Sequence, residues 1–60
     1  MPNPAYKVGD AVLVRLPEGE VVVARVLGVN TGLPNVYLLS YTRGEVFAML
    51  PESDIIRLLN

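Results

Sequence analysis

Apolar and polar positions alternate in short runs along this chain. Gly, Pro, Asn and Asp interrupt the runs at intervals of about ten residues. A period of two is the mark of strands, whose successive side chains point to opposite faces. Residues 11–16, 20–29, 36–41 and 46–50 read as four strands rich in Val and Leu. Residues 55–59 read as a fifth short strand or a single helical turn. The turn Tyr6-Lys7-Val8-Gly9-Asp10 precedes the first strand, and Leu16-Pro17-Glu18-Gly19, Asn30 to Asn35 and Thr42-Arg43-Gly44-Glu45 separate the next ones. Pro51 breaks the fourth strand, and Ser53 or Asp54 is placed to cap one turn after it. Residues 1–5 hold two prolines and no periodicity, which predicts a flexible or strapping segment before a single domain over residues 6–60.

A displacement of 25 residues lays Leu13 on Leu38, Gly19 on Gly44, Glu20 on Glu45 and Val21 on Val46. Both copies read strand, tight turn, strand, which strengthens the two hairpins without requiring a duplication. Four or five short strands at this spacing predict a small closed or nearly closed β-barrel.

Alternation also sorts the apolar side chains. Val12, Val14, Val22, Ala24, Val26 and Ile55 are assigned to the core. Leu13, Val21, Val23, Leu27 and one apolar set of the third strand, Leu38 among them, then point outward as a contiguous patch. Such a patch usually marks an interface. Covering five or six of these side chains is worth roughly 1.5–3 kcal/mol each. The cost of association is about 4–15 kcal/mol, and the margin of a 60-residue monomer is about 3–9 kcal/mol. Self-association could therefore supply stability that the core cannot. The other reading is a monomer whose bent strands wrap the core with both faces.

Composition sharpens this picture. Hydrophobic residues reach 52% and charged residues only 18%, against about 25% charged in a typical soluble domain. A small domain has more surface per residue and should need more charge, so the shortage again points to assembly. It also fits a scaffold barrel designed to assemble.

Chemistry is sparse. The chain has no Cys and no His, which removes disulfides, thiolate or imidazole metal sites and His-based triads. The net charge of −1 gives no footprint for nucleic acid. No apolar run approaches the roughly 18 residues of a membrane span, and the N-terminus lacks a signal-peptide pattern. These features point to a reducing, cytoplasmic setting. The carboxylates Asp10, Glu18, Glu20, Glu45, Glu52 and Asp54 are available for acid–base work, but solvation in turns is the ordinary role of Glu20 and Glu45. Ser40 has no His or Lys neighbour in sequence to activate it. Arg25 and Arg43 could clamp an anion, although Arg25 also serves as the one polar break in an apolar strand. No enzyme constellation, cofactor motif or metal set emerges.

The string Tyr6-Lys7-Val8-Gly9-Asp10-Ala11-Val12-Leu13-Val14, then Ala24-Arg25-Val26, then Val36-Tyr37-Leu38-Leu39-Ser40-Tyr41, then Leu50-Pro51-Glu52-Ser53-Asp54-Ile55-Ile56-Arg57-Leu58 resembles the Tudor-like branch of the Src-homology-3-like barrels. The resemblance implies an all-β, five-stranded barrel with one short helical turn before the last strand. It also implies a reader of methylated Lys or Arg, using an aromatic cage with an acidic residue. Here Val21, Val22 or Val23 holds a cage aromatic's position, and Thr42 holds the usual Asp. Of a cage Tyr41 and Phe47 remain, with Tyr6 and Tyr37 as further aromatics; Tyr37, Tyr41 and Phe47 are the candidates for a peptide groove, with packing in the core or an interface as their other reading. Gly44-Glu45-Val46-Phe47-Ala48-Met49 and the terminal Ile56-Arg57-Leu58-Leu59-Asn60 are also similar to the tetrameric type II dihydrofolate reductases. The pore strand of that family carries a Gln and a Tyr that Val46-Phe47-Ala48-Met49 lacks, so the similarity implies assembly rather than that activity. The expectation that follows is a non-enzymatic barrel that forms homo-oligomers, with the monomeric ligand-binding module as the alternative.

Overall fold

A computed structural model describes residues 3–60. The chain forms five strands: β1 (Ala11–Arg15), β2 (Val21–Asn30), β3 (Val36–Tyr41), β4 (Val46–Pro51) and β5 (Ile55–Leu58). A turn of 3-10 helix, Glu52–Asp54, precedes β5. All pairings are antiparallel and make one sheet in the order β4-β3-β2-β1-β5. The all-β expectation and the short helical turn before the last strand are therefore met. Residues 1–2 of the expected flexible segment lie outside the described residues. Ala5 of that segment is tied down, its N–H donating to Glu52 Oε1 at 3.1 Å.

The connection from β4 to β5 forces the sheet to curl. These strands occupy opposite edges, which in a flat five-stranded sheet lie roughly 19 Å apart. The chain from Pro51 to Ile55 reaches at most about 14 Å even when extended, and its 3-10 turn shortens it further. Two bulges supply the bend. Leu27 is the extra residue where β2 pairs with β3 between Val26 and Gly28. Ile56 is skipped where β1 pairs with β5 between Leu13 and Val14.

The curled sheet encloses one core, to which all five strands contribute: Val12, Val14, Ala24, Val26, Tyr37, Leu39, Leu50 and Ile55, with Leu16 from the first turn. Five of the six residues assigned inward from the sequence are buried. The sixth, Val22, is only half-buried at the core's margin, one pair from the hairpin end of the β1–β2 ladder, which closes with Arg15 and Val21. The radius of gyration is 10.4 Å, matching the roughly 10.4 Å expected for a compact chain of this length.

The turns are built from local chemistry. Gly9 and Gly19 hold φ of 96° and 102°, which only glycine adopts without strain. Asp10 is buried and accepts from the Lys7 N–H and the Lys7 ammonium, each at 3.0 Å. The expected cap does not form, since Glu52 opens the 3-10 turn behind Pro51 and no side chain caps it. Ser53 and Asp54 fall inside the turn, past the capping position.

Thr42 and Arg43 take φ of 51° and 55°, left-handed values that cost an L-residue about 1–2 kcal/mol. A β-branched residue suits this region least. Thr42→Asn keeps the turn and relieves part of the strain. It is expected to stabilise the fold by about 1 kcal/mol, raising the melting temperature by roughly 4–8 °C in a calorimetric scan.

Candidate functional site

Residues paired across antiparallel strands share a face, so the register maps the outside of the sheet. The rows run Leu13–Val23, Arg15–Val21, Ala11–Arg25–Ser40–Phe47 and Gly28–Leu38–Met49, and Arg57 stands beside Leu13 on β5. This face carries Val21, Val23, Leu27, Leu38, Phe47 and Met49, each between 38% and 62% exposed. The five residues expected outward thus share one face, although Leu13 is only half-buried between β2 and β5. Met49 was missed from the sequence. Its signal lay in the third hairpin's register, which sets it opposite Leu38.

The face divides in two. Leu13, Val21 and Val23 form one apolar half, and Leu27, Leu38 and Met49 the other. The row through Arg25 runs between them. Among the described residues every charge on the face is an arginine: Arg15, Arg25 and Arg57. The carboxylates sit in the turns and the 3-10 segment. Among the described residues the one ion pair joins Lys7 to Asp10.

A shallow groove of about 340 Å³ opens on the Arg25 row. Ala11, Val23, Ala24, Arg25, Ser40, Tyr41, Arg43 and Gly44 line it. Arg25 Nη1 donates to the Gly9 carbonyl at 2.6 Å, which fixes the guanidinium. Ser40 is 9% exposed. The strained turn presents Arg43 at the groove's end.

The aromatics expected to form a ligand groove do not gather there. Tyr37 pairs with Leu50 and lies wholly inside the core. Tyr41 is half-buried and lines the groove, whereas Phe47 pairs with Ser40 and is 61% exposed outside it. The ring partner of Tyr37 is Tyr6, edge-on at 5.8 Å. Of its two readings, groove or core, Tyr37 takes the core and leaves the ligand groove. Strand alternation separates it from Phe47, because the two occupy opposite faces.

Tyr37 anchors a polar cluster at one end of the core. Its hydroxyl donates to Glu52 Oε1 and accepts from the Tyr6 N–H. Glu52 Oε1 also receives the Ala5 N–H and Asn35 Nδ2. Asn35 Oδ1 takes the Gly32 N–H at 2.9 Å. One carboxylate thus ties the N-terminal strap, the β2–β3 loop and the 3-10 turn together. The Tyr37 hydroxyl, then the Ala5 N–H, hold the Glu52 carboxyl below its usual range. Burial, then Glu52, pushes the Tyr37 phenol up. The Lys7 backbone N–H, then its ammonium, lowers Asp10.

These shifts set a pH window. Glu52 and Asp10, depressed on folding, contribute stability that is present above their unfolded values near pH 4 and lost as pH falls through the folded values. Tyr37, raised on folding, contributes stability that is present below its unfolded value near pH 10 and lost as pH rises through the folded one. Urea midpoints are therefore expected to hold between about pH 5 and 9 and to fall on either side. Glu52→Gln should lower the midpoint at neutral pH and flatten its fall in acid. An acid limb unchanged by Glu52→Gln would assign that limb to other groups.

Comparison with known protein families, curated proteins and solved structures finds no match to this chain. No helix among the described residues is long and apolar enough to cross a membrane.

Proposed function

We infer that this chain is a non-enzymatic Src-homology-3-like barrel of the Tudor type that associates with copies of itself through its outer face and serves a structural role. The observation that carries this reading is the set Val21, Val23, Leu27, Leu38, Phe47 and Met49, left exposed on one face of a chain that is already compact. The total surface of 3887 Å² is close to the roughly 3,800 Å² of a well-packed monomer of this mass. Tighter folding therefore offers these side chains no cover. Six such side chains present on the order of 500 Å², so two copies bury about 1,000 Å², the lower bound of a specific interface. The short 3-10 turn and the edge strand β5 beside β1 are the features that support the barrel family. A cytosolic setting suits a chain without cysteine.

Light scattering at micromolar concentration should give a mass that is a multiple of 6.5 kDa. A single-chain mass that persists as concentration rises overturns the reading. The rival module for methylated Lys or Arg has less support. The groove beside Tyr41 is lined by two arginines and no carboxylate, so its field repels a cationic ligand.

A further inference from the structure

The groove along the Arg25 row carries a chemistry that its apolar flanks lack. Its charged lining is Arg25 and Arg43, both outside any ion pair among the described residues. Arg25 spends one N–H on the Gly9 carbonyl and keeps the rest of its five donors. Ser40 is nine-tenths buried and lines the groove, and its hydroxyl, which makes no side-chain hydrogen bond among the described residues, is not sealed from solvent. A hydroxyl in that setting leaves a donor open toward the groove. Val23, Ala11 and the Tyr41 ring complete an apolar wall.

We propose that this groove binds a phosphate monoester, with the phosphoryl group held by Arg25, Arg43 and Ser40 and a small apolar body lying against Ala11 and Tyr41. Two guanidiniums match the near-double charge of a phosphate monoester at neutral pH, where a carboxylate would leave one cation unmatched. Guanidinium forks fit phosphate oxygens in pairs, and the hydroxyl supplies a further donor. A volume of about 340 Å³ is at the small end of ligand sites, which limits the body to about one ring. Arg25 is pre-positioned by its bond to Gly9, so less freedom is lost on binding.

The test titrates inorganic phosphate, phenyl phosphate and phenol into the intact chain at constant ionic strength, following backbone amide resonances. Phenyl phosphate should give saturable shifts at Arg25, Ser40, Tyr41 and Gly44, at least about tenfold tighter than inorganic phosphate. Saturable binding of both with equal affinity would reduce the site to a free-phosphate site and overturn the monoester assignment. Phenol should give no saturable shift at these residues. Arg43→Asn suits the left-handed turn and should weaken phenyl phosphate by about tenfold or more. Ser40→Ala should weaken it several-fold with the fold intact. Non-saturating shifts spread over the surface, or an Arg43→Asn chain binding as tightly as the parent, overturn the proposal.

Discussion

Leu39→Ala is expected to lower the melting temperature by at least about 10 °C, whereas Leu38→Ala, one residue away, should leave the monomer's melting nearly unchanged. Leu39 is fully buried against the other strands, and Leu38 is 38% exposed on the outer face. Truncating a buried leucine removes its transfer energy and leaves a cavity, together about 2–5 kcal/mol. The whole margin of a domain this small is about 3–9 kcal/mol. Much of the Leu39→Ala population should therefore be unfolded near physiological temperature, and circular dichroism melts read this directly. Leu38→Ala loses only a partly hydrated side chain. Its effect should appear in self-association instead, as a higher concentration for assembly. Equal losses of melting temperature from both variants would mean that β3 does not sit with Tyr37 and Leu39 inward.

The second large effect concerns assembly. Val23→Lys combined with Met49→Lys should reduce the scattering mass to that of one 6.5 kDa chain while preserving the β spectrum. Val23 is 61% and Met49 62% exposed, so the isolated fold loses little. Across an interface between copies, each lysine would bury an unpaired charge at a cost of several kcal/mol. Lysine is the better probe than glutamate, because the face's charges are all arginines and a glutamate could pair with them. A double variant that keeps the parent's mass would move the interface elsewhere, to the exposed edge residues Ile56, Leu58 and Leu59.

Much of this architecture follows from local pattern. Val12, Val14, Ala24 and Val26 alternate with outward residues, and their burial is legible from period two alone. Gly9, Gly19 and Gly44 mark turns that need positive φ. The excess of apolar residues over charge already indicates more grease than one small core can hide.

The third and fourth strands were harder to read. In β3 both alternating sets are largely apolar, so sequence offers no basis for choosing between Tyr37 with Leu39 and Val36 with Leu38. The pairing of Tyr37 with Leu50 and Leu38 with Met49 makes that choice, and it moves Tyr37 from a presumed ligand groove into the core. The groove itself was equally hidden. Arg25, Ser40 and Arg43 are spread over 19 positions, and only the β2–β3 register and the left-handed turn bring them to one place.

What the sequence determined by itself was the set of strands, the turns and the surplus of apolar surface, because these depend on side-chain alternation and on backbone angles within a few residues. Tertiary structure decided which face of β3 turns inward, that Glu52 ties three segments together instead of standing in solvent, and that the arginines border a common groove. Those outcomes depend on contacts between residues distant along the chain. Strand register and the two bulges at Leu27 and Ile56 fix them, and neither leaves a periodic trace in the sequence.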